Sequence, residues 1–232
     1  VMTKIKSNSV KKVLDKIKTI SKNKDKYEGF YNEFGRLLKE GVYQEFEHKE
    51  ALTELLRFKS TKEDGYVSLQ DYLYRMGSDQ ESIYYITGTN ESALRESPLL
   101  EMYKKKDIEV LILDDEIDEI IMPSIPTFKE KSLKSVNRSG AADELSNEDD
   151  KEKKDELKPL IKKVKSVLGD KVKDVKSSSR LSDSPSCIVA DENDPTAQMQ
   201  EIMRATGQVG MPEIKPILEI NPGHKIIKKF VQ

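Results

Sequence analysis

The apolar residues of this chain change their period partway along it, and that change restricts the available folds more than any other feature. Val10, Val13, Leu14, Ile17 and Ile20 recur at three- and four-residue steps, and Tyr27, Phe30, Tyr31, Phe34, Leu37 and Leu38 continue the pattern up to Gly41. This spacing predicts two amphipathic helices, each with one apolar stripe. Gly41 stands where a left-handed cap would end the second helix, and Phe46, Leu52, Leu55 and Leu56 predict a third. Beyond Gly65 strand signals enter. Ser68-Leu69-Gln70-Asp71 has capping-box spacing ahead of Tyr72, Leu73 and Met76, and Ile83-Tyr84-Tyr85-Ile86-Thr87 is a compact β-prone run. Ser97-Pro98 offers an N-cap followed by proline, and the helix through Met102 leads to the buried-type strand Val110-Leu111-Ile112-Leu113. Together these predict a small βαβ unit.

A charged stretch over 137–154, containing Asp149-Asp150-Lys151-Glu152-Lys153-Lys154, has too few apolar residues for a core and reads as a linker. After it, Leu157, Leu160, Ile161, Val164 and Leu168 form a helical face ended by Gly169, with strands predicted over 171–181, 186–191 and 215–220. Asp194 and Pro195 suit the N-cap and first position of a helix running to about Gly207. The expected fold class is therefore α/β and α+β. A helical coil (1–58) is followed by a small αβα unit (59–136), the linker (137–154) and an α+β unit (155–232).

Lys and Arg total 40 against 42 Asp and Glu, a formal net charge of -2. No global field draws the chain to nucleic acid or anionic lipid, so neither nucleic acid nor membrane is expected as a partner. A single cysteine, Cys187, excludes a disulfide framework within one chain and suits a reducing, cytoplasmic setting. No apolar run reaches the length of a membrane span, and no secretion signal is visible at the start.

Catalytic motifs are sparse. Thr87-Gly88-Thr89 and Gly207-Gln208-Val209-Gly210 lack the spacing and lysine of a phosphate loop. His48 and His224 have no partner at triad or zinc spacing. The run 114–119 lacks the glycine turn of a calcium loop. Cys187, among apolar neighbours, reads as an inert core thiol. Met199, Ile202 and Met203 stand out at i, i+3 and i+4, with Ala205 beside them and Met211 just beyond. Flexible, polarisable thioethers on an exposed face can grip diverse apolar segments, although spacing alone favours an ordinary core-facing stripe.

Several runs resemble bacterial members of the ninety-kilodalton heat-shock chaperone family. They include Phe34-Gly35-Arg36-Leu37-Leu38-Lys39-Glu40-Gly41, Leu55-Leu56-Arg57-Phe58 and Ile83-Tyr84-Tyr85-Ile86-Thr87-Gly88. Ser178-Ser179-Arg180-Leu181-Ser182-Asp183-Ser184-Pro185 and the run from Pro212 to Pro222 follow in the family's order. The resemblance implies that 1–136 is the later part of a middle domain and 155–232 the earlier part of a dimerisation domain. It places the ATP and magnesium site and a catalytic arginine upstream of Val1, and the dimerisation helices after Gln232. The chain itself would then lack ATPase activity, catalytic residues and cofactor, and would be a monomer or weak dimer, whereas the full-length parent would be an ATP-hydrolysing homodimer.

Partly unfolded client proteins are the implied partners. The client-contact helix looks equivalent to 195–206, with Met199, Ile202 and Met203 as contacts, although Pro195 replaces a methionine found in some relatives. A second client patch looks equivalent to Glu119, Ile120 and Pro123, where some relatives carry a tryptophan and an asparagine and only Glu119 is retained. Two other readings stay open from the residues: a structural connector that transmits domain rotations, with its apolar stripe buried, and an α/β enzyme with ligands near Asp114 and Asp115.

Overall fold

The computed structural model describes residues 2–145, 157–207 and 213–231. It is mixed helix and sheet, in agreement with the fold class read from the sequence. Two compact units emerge, one of residues 1–83 and 117–133, the other of 84–116 and 134–232.

The first unit opens with α1 (Met2–Ile20), α2 (Lys24–Gln44) and α3 (Lys49–Leu55). Tyr27, Tyr31, Gly35, Leu38 and Val42 are the buried stripe of α2, at four- and three-residue steps. Tyr27 donates its hydroxyl to the Leu55 carbonyl at 2.6 Å, joining α2 to α3. Gly41 does not cap α2, which continues to Gln44. A Cβ at Gly41 would lie 3.1 Å from Leu52 Cδ1, so the glycine serves the close approach of α3 rather than a helix end. Phe46 is 90% exposed and falls outside the third helical stripe, whose buried members are Leu52, Leu55 and Leu56.

The expected capping box forms at α4 (Leu69–Arg75). Ser68 Oγ accepts from the Asp71 amide at 3.0 Å, and the Ser68 amide donates to the Asp71 carboxylate at 2.9 Å. Helix α7 (Glu116–Ile121) is tied to α2 by a buried ion pair, Lys39 with Asp118. Antiparallel pairing of Thr127–Phe128 with Lys131–Ser135 adds a short hairpin, with Phe128 opposite Lys131.

The second unit contains the expected βαβ arrangement. Strand β2 (Ser82–Thr87) pairs in parallel with β3 (Val110–Leu113), Tyr84 opposite Val110 and Thr87 opposite Leu113. The crossover holds a short helix not foreseen, α5 (Glu91–Arg95), capped by Asn90. The turn begun by Ser97-Pro98 then leads into α6 (Glu101–Lys105).

Helix α8 (Lys158–Leu168) ends at Gly169, whose φ of 51° combined with a ψ of -122° lies in a region that favours glycine. It packs on a three-stranded sheet of β6 (Asp174–Ser177), β8 (Ile217–Ile220) and β7 (Ser186–Val189), with β8 central, parallel to β6 and antiparallel to β7. Each strand is shorter than its predicted span.

One apolar cluster of this unit joins Tyr84, Ile86, Leu100, Tyr103 and Ile112 of the βαβ segment to Val189 and Ile217 of the three-stranded sheet. The compact units therefore cut across the chain-order division at 136–155 that the sequence suggested. The linker expected over 137–154 is likewise ordered in its first part. Asn137 pairs with both backbone groups of Thr87, accepting at 2.9 Å and donating at 3.0 Å. Ala141 and Ala142 are buried, Leu145 packs on the core, and Tyr84 donates its hydroxyl to Glu144. Few but well-placed small apolar residues suffice where the backbone itself pairs. Residues 146–154 lie outside the described residues.

Candidate functional site

The methionine stripe forms on α9 (Ala197–Ala205), between β7 and β8 in the chain. Its cap is Thr196, not Asp194: Thr196 Oγ1 accepts from the Met199 amide at 3.1 Å and the residue is 4% exposed. Asp194 instead pairs with Lys173 at 2.7 Å. An ion pair and a cap compete for one side chain, and a threonine two residues later relieves the competition. Gly207, with φ of 80°, follows the helix end.

Met199, Ile202 and Met203 share one face as predicted. All three are half-buried, none of the nine helix residues is fully buried, and the three belong to neither apolar cluster of the unit. The opposite face, with Gln200, Glu201 and Arg204, lines a cleft of about 460 Å³ whose other walls include Thr87, Ile188 and Pro216. Gln198 donates weakly across it to the Gly88 carbonyl at 3.4 Å. Met211 lies outside the described residues.

The second predicted patch has a different character. Glu119 is 6% exposed, so its carboxylate is not presented to a partner; Ile120 is half-buried and Pro123 is exposed. Three consecutive buried positions, 117–119, span about 200° of α7, so packing encloses this short helix on more than one side and covers Glu119.

Groups that resembled chemistry serve the scaffold. Asp118, in the acidic run, holds Lys39. The Nδ1 atom of His224 accepts from the Ile226 amide at 3.2 Å, and His48 is half-buried. Burial pushes the Cys187 thiol up to about 12, with Glu219 adding to the shift. Among the described residues no group of three or more His, Cys, Asp or Glu side chains is placed to hold a metal ion, and no helix is long and apolar enough to cross a membrane.

Motifs singled out in the sequence turn out to be joints. Arg180 is buried against Glu219, and its Nη1 and Nη2 also donate to the carbonyls of Val136 and Arg138 at 2.6 and 2.8 Å. Glu101 accepts from the amides of Ser182, Asp183 and Ser184 at 2.6–3.1 Å. Asn221 donates to the carbonyls of Ser182 and Ser184.

The geometry describes a mixed helix and sheet scaffold with a half-exposed apolar helix, and the chain belongs to the Hsp90 protein family, whose model matches residues 1–232. It is 51% identical to Chaperone protein HtpG of Treponema denticola over 239 residues, and 52% identical to the protein of the same name from Aliarcobacter butzleri over 235. Chaperone protein HtpG of Borreliella burgdorferi is 48% identical over 231 residues. In each case the match covers 99% of this chain and 37% of the relative. The chain thus spans little more than a third of the length of these relatives.

Proposed function

We propose that this chain is the client-binding and inter-domain coupling part of an ATP-driven, homodimeric molecular chaperone that acts on partly unfolded proteins in the cytoplasm. Residues 1–136 correspond to the later middle domain and 155–232 to the earlier dimerisation domain. ATP and magnesium bind elsewhere in the full-length protein, and no catalytic role is assigned to residues of this chain.

The observation that carries the proposal is the half-exposed face of Met199, Ile202 and Met203. A connector that only relays domain rotations would have this stripe buried, so its partial exposure favours client contact. Pro123, exposed, and Ile120, half-buried, remain a candidate second patch.

Partial burial of the three α9 side chains by a client contributes about 3–5 kcal/mol gross, from roughly 1.5–3 kcal/mol each when fully buried. That alone corresponds to about millimolar affinity, so client holding needs several weak patches acting together. The test is suppression of client aggregation by the full-length protein with Met199, Ile202 and Met203 changed to serine. Weakened suppression is expected; protection equal to the wild type would reassign the stripe to packing.

A further inference from the structure

Helix α9 is held from one end. Among the described residues, none from Glu201 to Thr206 hydrogen-bonds or ion-pairs beyond the helix and the Gly207 turn that closes it. The loop leading into it, residues 191–194, is gripped twice. Arg138 Nη1 donates to the carbonyl oxygens of Asp191 at 3.1 Å and Glu192 at 2.9 Å, and also to that of Asp194. Lys173 Nζ lies 2.6 Å from the Asp191 carboxylate and 2.7 Å from that of Asp194. One cation gathers the carbonyls of the loop and the other its carboxylates.

Both cations stand on fixed backbone. The Arg138 carbonyl accepts from the buried Arg180 at 2.8 Å, and its neighbours pair with Ala190: Ser139 donates to the Ala190 carbonyl, and Ala190 donates to that of Asn137. Lys173 directly precedes β6 and donates its amide to Pro216 at 2.8 Å. After the loop come the Thr196 cap, the Gln198 bond to Gly88 and a weak Gln200 bond back to the Pro195 carbonyl at 3.4 Å, and among the described residues no bond from later in the helix to another element.

We propose that Arg138 and Lys173 are positioning residues for the client-contact helix, fixing its root while leaving the end that carries Ile202 and Met203 free to tilt toward different apolar segments. An exposed single ion pair contributes little. Here one ammonium spans two carboxylates while a guanidinium spans three carbonyls of the same four residues, so the loop is constrained from two sides. The proposal rests on the reading of Met199, Ile202 and Met203 as client contacts.

Hydrogen–deuterium exchange on the chain without client tests it, comparing wild type with K173M, R138M, their combination and D191N/D194N. The amides of α9 should exchange about tenfold faster in the combined variant, with those of β8 unchanged. K173R should restore the K173M rate. Unaltered α9 exchange in both the combined variant and D191N/D194N would overturn the clamp, as would equal acceleration in β8. The lysine and aspartate variants sit at the surface, so they keep the test valid if R138M fails to fold. Because no client is present, serine changes on the methionine face can abolish or spare client protection without altering this result.

Discussion

Arg180 and Glu219 face each other inside the second unit as a two-pronged pair, Nε 3.0 Å from Oε2 and Nη2 3.2 Å from Oε1, with side chains 1% and 8% exposed. Ser178 adds its hydroxyl to the same carboxylate at 2.8 Å. Removing Arg180 leaves the Glu219 charge buried and the Val136 and Arg138 carbonyls short of a donor. R180M should therefore cost about 3–5 kcal/mol in a urea melt. R180K should recover little of it, since an ammonium cannot reproduce the planar fork.

Lys39 and Asp118 make the corresponding joint in the first unit, with Nζ 2.8 and 2.9 Å from the two carboxylate oxygens and side chains 9% and 2% exposed. K39M takes the Nζ cation away from a buried carboxylate and should lower stability by about 3–5 kcal/mol, whereas K39M combined with D118L should lose markedly less. A smaller loss in the single variant than in the double, measured by denaturant midpoints, would contradict this account.

Glu101 gives acid sensitivity a defined sign. Burial by itself pushes its carboxyl up, but the Ser184 hydroxyl and the amides of 182–184 more than offset that, so it lies below the ordinary glutamate value. A group with a depressed folded pKa contributes stability above its unfolded value and loses it as pH falls through the folded one. E101Q should be less stable than wild type at pH 7, with the gap closing as pH falls below about 4. Equal acid titration of stability in both proteins would remove Glu101 from the account.

Cys187 should resist modification. With its thiol pushed up to about 12, almost none is thiolate at pH 8. A disulfide reagent should react on the order of a hundredfold more slowly with the native chain than with the urea-unfolded one. Matching rates would show the thiol to be open in the native state.

Local signals were legible where neighbours along the chain decide the outcome. The capping box at Ser68 and Asp71, the β-run ending at Thr87, the glycine stop at Gly169 and the shared face of Met199, Ile202 and Met203 all follow from short-range spacing. The end of α2 was not legible, because the use of Gly41 depends on Leu52, which only packing brings near. Nor was the cap of α9, because Asp194 is claimed by Lys173 from a distant strand edge.

By itself, the sequence determined the mixed helix and sheet class, the family and the positions of most elements, since apolar period and turn residues act within a few residues of one another. Only the tertiary structure decided that the βαβ segment shares a core with the C-terminal sheet, that Glu119 turns inward, and that the methionine face is half-exposed. Burial and charge pairing are set by what arrives from far along the chain, and an amphipathic stripe looks the same in sequence whether or not anything covers it.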